Sequence, residues 1–359
     1  MAPVRMGCCI TAHGFGHAAR AVAVMKALAQ RMDVEFVVVG GIPPWFFAGS
    51  DIRLAGLHPL QTDVGLVQVS ALQEEMPATL AALDRFYPLD QELVEHVASL
   101  FAGCRLVLSD IAPLGLVAAA RAGAVSVLVE NFTWDWIYEG YLEQWPGLAP
   151  HVRYLRQLYR QADLHLQAEP VCRRTDCDLR VAPVSRAWRQ PRQRIRQLLG
   201  VSGEQRLVLV TMGGVGSKPL DPAPMLARPD LVFVLAGSPV ERLMKRENLR
   251  LLPFDSGLHH PDLIAAADLV VGKLGYSTLA EVYAAGVPFA YLCRPDFPES
   301  AHLAAFVDRN MAGGEISVRR WLDTTWVADL DAMLRSGPVA GGRENGARQA
   351  ARFLAQVLR

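Results

Sequence analysis

The feature that most constrains the fold is a pattern of short apolar segments and helices that starts twice along the chain. Residues 4–11 form an apolar run that leads into a glycine-rich turn, after which apolar residues recur at helical spacing. The same order returns at residues 207–211, which lead into a second glycine-rich turn. Short apolar strands that alternate with helices are typical of parallel sheets covered by helices on both faces. The sequence therefore predicts an α/β fold with two Rossmann-like domains.

Further elements are predicted in both halves of the chain. The first half has predicted strands at residues 34–39, 106–108 and 125–129 and a helix at 114–122. The second half has predicted strands at 231–236, 269–271 and 288–292 and helices at 192–199 and 277–285. We predict an N-terminal domain of residues 1–185, a C-terminal domain of residues 186–342, and a last segment, 343–359, whose helix packs back across the domain junction.

Composition excludes several classes of protein. With 359 residues, 51% of them hydrophobic, the chain can bury two domain-sized cores. A formal net charge of +0 gives no electrostatic footprint for nucleic acid. No apolar run approaches the ~20 residues that span a bilayer, and no signal sequence is recognisable. Six cysteines in a chain of this size indicate reduced thiols. We expect a cytoplasmic protein with no nucleic-acid partner and no integral membrane segment.

Two histidines and an aspartate follow predicted strands of the first half. His13 and His17 lie in one short turn after the first strand, and imidazoles titrate near neutral pH. Asp110 ends another strand, and because parallel strands end at one edge of a sheet, it can lie beside that turn and orient a histidine. The alternatives are that a histidine only caps the first helix, and that Asp110 caps the helix after Pro113. The turn lacks the third glycine of a dinucleotide-binding motif, which disfavours NAD.

The segment of residues 261–281 contains the second candidate site. A predicted strand is followed by Gly275, and then by Ser277 and Thr278 at the start of a helix, where backbone amides favour a diphosphate. Glu281 lies one turn further on, where a carboxylate can accept hydrogen bonds from two ribose hydroxyls. The alternative is an ordinary capping box formed by the hydroxyl residues and Glu281.

These segments resemble known families. The stretch DLVVGKLGYSTLAEVYAAGVPFAYL resembles the donor-binding segment of GT-B glycosyltransferases, including the N-acetylglucosaminyltransferase that makes lipid II. HGFGHAAR, LVLSDIAP, NFTWDWIY and GKLGYSTLAE together resemble the glycosyltransferase-like N-terminal region of plant L-arabinokinases, along nearly the whole chain. Kinase chemistry in those proteins is assigned to a separate C-terminal domain, and no kinase phosphate loop is recognisable here. We therefore do not expect kinase activity.

The resemblance implies a GT-B fold, with two Rossmann-like domains whose parallel sheets face each other across a cleft. It places His17 at the catalytic base and Asp110 at the acid that orients it. Retaining relatives often carry a glutamate eight positions before the ribose-binding one, and here that position is Lys273, which favours inversion. The implied donor-binding residues are Gly213, Gly214, Phe254, Lys273, Gly275, Tyr276, Ser277, Thr278, Glu281, Asp296 and Glu299.

Acceptor-binding residues are predicted around the first turn and an aromatic segment. Aromatic side chains can stack on a sugar or an apolar ring, although such clusters are often simply core. The aromatic run at residues 44–47 has the same ambiguity and could also contact a membrane surface. The candidates are His13, Phe15, Phe132, Trp134 and Asp135.

The predicted function is an inverting, metal-independent glycosyltransferase with a UDP-sugar donor and a small-molecule acceptor. Two D-x-D strings, at residues 176–178 and 329–331, do not end predicted strands, and we expect solvated acids there rather than a metal site. No cofactor is expected besides the nucleotide-sugar co-substrate. The alternatives are a GT-B nucleotide-sugar 2-epimerase and a non-catalytic protein that binds nucleotide sugars.

Overall fold

The structure is a computed structural model that describes residues 2–11, 13–213, 220–335, 337 and 344–359. The chain divides into two compact units. The first comprises Met1–Gln68, Glu74–Ser185 and Glu344–Arg359, and the second comprises Val69–Gln73 and Arg186–Arg343.

The first unit is built on a seven-stranded sheet in which every pair of neighbours is parallel. Its order is β3-β2-β1-β6-β7-β8-β9. The short β4 and β5 form a separate two-stranded ribbon, and its residues Val69–Gln73 belong to the second unit. The central strands are apolar and buried because helices cover both faces of the sheet. The strands are β1 (Val4–Ile10), β2 (Val34–Val39), β3 (Leu54–His58), β4 (Gln68–Ser70), β5 (Gln73–Glu74), β6 (Leu106–Asp110), β7 (Val125–Glu130), β8 (Leu164–Ala168) and β9 (Leu179–Val181).

Six helices are interspersed with the strands of this unit between residues 15 and 159. The first of them buries most of its residues, in keeping with its largely apolar sequence. They are α1 (Phe15–Ala29), α2 (Met76–Phe86), α3 (Gln91–Leu100), α4 (Pro113–Ala122), α5 (Trp134–Glu139) and α6 (Ala149–Tyr159), with short 3-10 helices at Pro44–Phe47 and Pro146–Leu148.

The second unit repeats this architecture with a seven-stranded sheet of order β12-β13-β11-β10-β14-β15-β16. Its strands are parallel except that β12 runs antiparallel to β13. The strands are β10 (Arg206–Thr211), β11 (Leu231–Ala236), β12 (Met244–Arg246), β13 (Leu249–Leu252), β14 (Leu269–Lys273), β15 (Phe289–Leu292) and β16 (Gly313–Glu315). The prediction of two Rossmann-like α/β units is confirmed.

The helices of the second unit pack on both faces of its sheet, in two apolar clusters. None of the helices in the described parts of the chain is long and apolar enough to cross a membrane. They are α7 (Arg192–Leu199), α8 (Ala223–Leu226), α9 (His260–Ala266), α10 (Tyr276–Ala285), α11 (Glu299–Asn310), α12 (Val318–Leu322) and α13 (Leu330–Arg335), with a 3-10 helix at Thr325–Asp329.

The last helix, α14 (Gly346–Val357), belongs to the first unit. It packs against α1, and the side chain of Gln349 accepts a hydrogen bond of 2.7 Å from the backbone N–H of Ala182. Gly346 has to be small because a Cβ there would lie 1.9 Å from the carbonyl oxygen of Ala182. The C-terminal segment therefore completes the helical layer of the unit in which the chain begins.

Each sheet has a point at which the strand order reverses. In the first unit β1 lies between β2 and β6, so the chain leaves β1 toward one side and later returns on the other. In the second unit β10 lies in the same way between β11 and β14. In open parallel sheets ligands bind at the carboxyl ends of the strands at this reversal. The ends of β1 and β6, and of β10 and β14, are thus where a site is expected in each unit.

Candidate active site

His17 and Asp110 meet at the reversal point of the first sheet. Asp110 is the last residue of β6 and lies in register with Ile10 of β1, while α1 begins after Gly14 and carries His17 in its first turn. The distance from Nδ1 of His17 to Oδ1 of Asp110 is 2.8 Å. An ionised carboxylate only accepts hydrogen bonds, so Nδ1 carries the hydrogen and Nε2 is the nitrogen that can take up a proton. Within the described part of the chain, Nε2 of His17 makes no hydrogen bond.

Arg20 joins this pair from one turn along the same helix. Its Nε donates to Oδ2 of Asp110 at 2.8 Å and its Nη2 donates to Oδ1 at 2.7 Å, so the guanidinium holds both carboxylate oxygens. Its Nη1 donates to the side-chain oxygen of Asn131 at 2.6 Å. Arg20 and Asp110 are both completely buried. The sequence prediction did not include Arg20, although its i+3 spacing from His17 places the two on one face of a helix.

The partners of Asp110 decide its charge. Burial alone would raise the pKa of this carboxyl, but the charge of Arg20 and the hydrogen bonds from Arg20 and His17 outweigh burial and hold the pKa below its ordinary value. Asp110 is therefore an anion at neutral pH. It does not cap the helix after Pro113, because the N-cap position there is Ala112 and has no side-chain hydrogen bond.

Asp63 is a second buried carboxyl at this edge of the sheet. Its Oδ1 accepts a hydrogen bond of 2.7 Å from Thr11, and its Oδ2 accepts one of 3.0 Å from the indole N–H of Trp134. Burial raises the pKa of Asp63 to about 7, against the two hydrogen bonds and with a smaller contribution from the charge of Asp110. No motif surrounds Asp63 in the sequence, so the prediction missed it.

His13 lies against the segment that contains Asp63. The backbone N–H of Leu66 donates to Nδ1 of His13 at 3.4 Å, and the imidazole meets the edge of Trp134 at a centroid distance of 5.1 Å. Gly65 fits closely here, since a Cβ would lie 2.8 Å from Nδ1 of His13. Neither histidine caps α1, because its N-cap is Gly14 and makes no side-chain hydrogen bond.

The predicted acceptor residues divide into exposed and buried groups. His13 and Phe15 keep part of their surface exposed, and Phe15 packs on Trp45 and Phe46 at centroid distances of 5.3 and 5.6 Å. Phe132 and Trp134 are buried, and their rings contact each other. Their burial agrees with the alternative that these aromatic side chains belong to the hydrophobic core.

Asp135, the fifth predicted acceptor residue, is also buried. Its Oδ2 accepts a hydrogen bond of 3.1 Å from Nε of Arg156. The pair links the short helix α5 to α6, which carries Arg156.

In the second unit, a lysine, a glycine turn and a helix start come together at the reversal point. Lys273 ends β14, and Gly213 follows β10 with a φ of 71°. A Cβ on Gly213 would lie 3.4 Å from Cε of Lys273, and one on Gly275 would lie 3.7 Å from the same atom. Gly275 is the N-cap of α10 and makes no side-chain cap. The lysine ammonium and the first amides of α10 together favour an anion. Gly214 lies outside the described residues.

The hydroxyl residues of the prediction occupy the first turn of α10. Tyr276 and Thr278 are buried and Ser277 is half-buried. A capping box would need a hydroxyl residue at the N-cap, where this helix has Gly275, so that alternative does not describe the structure. The backbone amides of this turn are the groups that a diphosphate would meet.

Glu281 is held on both carboxylate oxygens. Nε of Arg186 donates to Oε1 at 2.8 Å, and Oε2 lies 2.9 Å from Nδ1 of His260. Burial would raise the pKa of Glu281, but the charge of Arg186 and the hydrogen bond and charge of His260 lower it to about 2. The Nε2 of His260 in turn lies 3.2 Å from the hydroxyl of Thr211, at the end of β10. A carboxylate oxygen has two lone pairs, so each can accept one more hydrogen bond.

The remaining donor predictions follow two strands of the second sheet, β13 and β15. Phe254 follows β13, is 45% exposed and covers Gly237, where a Cβ would lie 2.7 Å from its ring. Asp296 is exposed in the loop after β15, and Glu299 is buried at the start of α11. Phe254 thus leaves nearly half of its surface exposed.

Acidic residues of the two D-x-D strings bind other groups of the chain. Asp178 accepts a hydrogen bond of 2.8 Å from the backbone N–H of His165. Asp329 and Asp331 form ion pairs with Arg320 and Arg228 at 2.6 and 2.7 Å. In the parts of the chain that the structure covers, no three His, Cys, Asp or Glu side chains are grouped as metal ligands would be.

The chain is similar to two characterised proteins. It is 31% identical over 365 residues to an L-arabinokinase of Arabidopsis thaliana, an alignment that covers 97% of this chain and 34% of the relative. It is 30% identical over 111 residues to the UDP-N-acetylglucosamine–N-acetylmuramyl-(pentapeptide) pyrophosphoryl-undecaprenol N-acetylglucosamine transferase of Halalkalibacterium halodurans, which covers 27% of this chain and 30% of that protein. The chain thus spans about a third of the length of the curated relatives it matches. No protein-family model matches it.

Among solved structures, the chain is similar to UGT2 of Phytolacca americana, which was solved with UDP-2fluoro-glucose and pterostilbene. The TM-score is 0.61 at 10% identity, and the match covers 99% of each chain. The structural neighbours are GT-B glycosyltransferases, so the chain has the GT-B fold, and the predicted resemblances are confirmed.

Proposed function

We propose that this GT-B-fold chain is an inverting glycosyltransferase that moves a sugar from a UDP donor to a hydroxyl of a small-molecule acceptor. The observation that carries the proposal is the pair of His17 and Asp110 at the reversal point of the first sheet, with Nδ1 of His17 2.8 Å from the carboxylate. An imidazole held in this way presents Nε2 as a proton acceptor, which is the group that a hydroxyl nucleophile needs.

The reaction forms one bond and breaks another at the anomeric carbon of the donor. The acceptor oxygen attacks this carbon from the face opposite the diphosphate, and Nε2 of His17 takes the hydroxyl proton. The bond from the anomeric carbon to the diphosphate oxygen breaks, and its electron pair leaves with UDP. Attack from the opposite face inverts the anomeric configuration. Asp110, as an anion, stabilises the imidazolium that forms.

Lys273 and the start of α10 would stabilise the leaving diphosphate. The side chain of Lys273 lies against Gly213, and Gly275 opens the helix beside it, so positive charge and backbone amides converge. A lysine ammonium at this point supplies charge that other transferases take from a divalent cation. We therefore propose that transfer does not require a metal.

Glu281 would bind the ribose of the donor, and Phe254 would lie beside its base. The carboxylate is fixed by Arg186 and His260 and is ionised, with a pKa of about 2, so each oxygen can accept a hydroxyl hydrogen through its second lone pair. The names of one relative and one structural neighbour contain UDP-sugars, which supports uridine as the base.

The test of the donor assignment is a thermal shift with UDP in the presence of EDTA. At about 100 times its dissociation constant, UDP should add ~2.7 kcal/mol to the free energy of unfolding. Lys273→Met should reduce this shift, whereas the control Lys245→Met should not, since Lys245 is exposed and donates to the backbone of Leu198. A shift with ATP or NAD but none with UDP would refute the assignment.

The test of the reaction is incubation of the protein with UDP-sugars, alone and with acceptor mixtures. We expect release of UDP that depends on the acceptor, together with a glycoside of inverted configuration, detected by mass spectrometry and NMR. Isomerisation of the donor in the absence of acceptor would identify a 2-epimerase instead.

A further inference from the structure

Arg20 is an unusual partner for a histidine and aspartate pair. A pair of His17 and Asp110 alone would be neutral once His17 is protonated, and the buried anion would strongly favour that protonated form. Here a guanidinium that is 1% exposed binds both oxygens of Asp110, at 2.8 and 2.7 Å. The negative charge that faces His17 is thus already balanced before any proton arrives.

The guanidinium also approaches the imidazole directly. Nη2 of Arg20 lies 3.3 Å from Nδ1 of His17. Because Nδ1 carries the hydrogen that is donated to Asp110, this approach is not a second hydrogen bond but a contact between two donors. Protonation of His17 would place two positive charges beside one carboxylate.

We propose that Arg20 is a positioning residue of the proton-accepting site. It holds Asp110 in place through both carboxylate oxygens and balances the negative charge that faces His17. The role of Arg20 in catalysis rests on the proposed function. The balance of charge among Arg20, Asp110 and His17 does not depend on it.

The geometry of Arg20 explains why an arginine is needed. The planar guanidinium donates from Nε and Nη2 to Asp110 and from Nη1 to Asn131, and a lysine ammonium cannot reproduce this fork. Asn131 follows β7, so Arg20 connects α1 to the ends of two adjacent strands. The carboxylate therefore has little freedom to rotate away from His17.

Two other titratable groups act on Asp110. Asp63, with a pKa raised to about 7 chiefly by burial, interacts electrostatically with it, and so does the thiol of Cys8, whose pKa burial raises far above its ordinary value. Neither is altered by a substitution of Arg20, so a change in the titration of His17 in such a variant reports on the guanidinium.

The experiment is an NMR titration of the His17 ring in the intact protein. The chain has nine histidines, and His17 is assigned by the signal that disappears in His17→Gln. In Arg20→Gln, which removes the charge, the midpoint of proton uptake at His17 should rise by about one pH unit or more. Arg20→Lys keeps the charge, so its midpoint should rise by less. An unchanged or lowered midpoint in Arg20→Gln overturns the proposal.

Turnover provides the second readout and covers the case in which Arg20→Gln does not fold. In Arg20→Lys, loss of the two-point hold on Asp110 should lower kcat by about 10- to 100-fold with donor KM unchanged. The matched control is Arg196→Lys, since Arg196 binds Asp268 at 2.8 Å in the second unit. That control should leave both the midpoint and kcat unchanged. Arg20→Lys that matches wild type in both readouts refutes a positioning role.

The two arms separate the inference from the proposed function. If the wild-type protein transfers no sugar, the proposed function fails, and the titration of His17 still decides whether Arg20 sets its protonation. If the protein transfers sugar but the midpoint does not move in Arg20→Gln, only the inference about Arg20 fails.

Discussion

The two units each hold a buried carboxylate between an arginine and Nδ1 of a histidine. In the first unit Asp110 lies between Arg20 and His17, and in the second Glu281 lies between Arg186 and His260. The histidine distances are nearly the same, 2.8 and 2.9 Å. In both cases the partners lower the pKa of the carboxyl against the effect of burial.

The difference lies in the second nitrogen of each histidine. Nε2 of His260 lies 3.2 Å from the hydroxyl of Thr211, so both ring nitrogens are engaged. Nε2 of His17 has no such hydrogen bond within the described residues. An arginine, a carboxylate and a histidine can therefore build either a fixed carboxylate for ligand binding or a histidine that accepts a proton. The outcome depends on whether Nε2 of the histidine has a hydrogen-bond partner.

The arginines differ as well, and this difference predicts the largest effect on stability. Arg20 is 1% exposed and holds Asp110 with two bonds, whereas the Arg186 side chain is 14% exposed. Asp110→Asn leaves a buried charge without its anion and should lower the free energy of unfolding by ~3–5 kcal/mol. Glu281→Gln should cost ~1–3 kcal/mol, because Arg186 is partly solvated. Urea titration of both variants measures these losses, and a larger loss in Glu281→Gln would break the comparison.

Acid should weaken the Glu281 cluster over a defined range. The pKa of Glu281 is about 2 in the folded chain, whereas its ordinary value is 4.5, so its contribution to stability is present above pH ~4.5 and is lost as the pH falls toward 2. The difference corresponds to about 3 kcal/mol. Glu281→Gln should therefore show a smaller loss of melting temperature than wild type between pH 5 and pH 3. Equal slopes in the two proteins would show that Glu281 is not held as an anion.

Much of the fold was predictable because its central strands are continuous apolar runs. The strands at residues 34–39 and 231–236 and the helix at 192–199 have the predicted bounds. The prediction missed β8, which carries His165 and Gln167. These polar residues are accommodated in the sheet because both contact Glu130, on the neighbouring strand β7. A single sequence does not show that a polar residue will find such a partner.

The site residues that lie at or just after strand ends were predictable, and the others were less so. His17 and Asp110 were predicted to meet because both follow central strands. Arg20 and Asp63 were missed, since Arg20 lies inside a helix and Asp63 in a loop, where no sequence motif marks their contacts with Asp110 and Trp134. The sequence also did not show what would hold the buried Trp134, because the partner of its indole N–H is the missed Asp63.

The measurement that tests the central claim most directly compares His17→Ala with His260→Ala for turnover and for UDP binding. His17→Ala should lower kcat by ~10²- to 10⁴-fold and leave UDP affinity unchanged, because it removes only the proton acceptor. His260→Ala should weaken UDP binding, since Glu281 loses one of its two partners, and should keep kcat within about threefold of wild type. Turnover by His17→Ala within about threefold of wild type, or loss of UDP binding in His17→Ala but not in His260→Ala, would contradict the roles assigned to the two clusters.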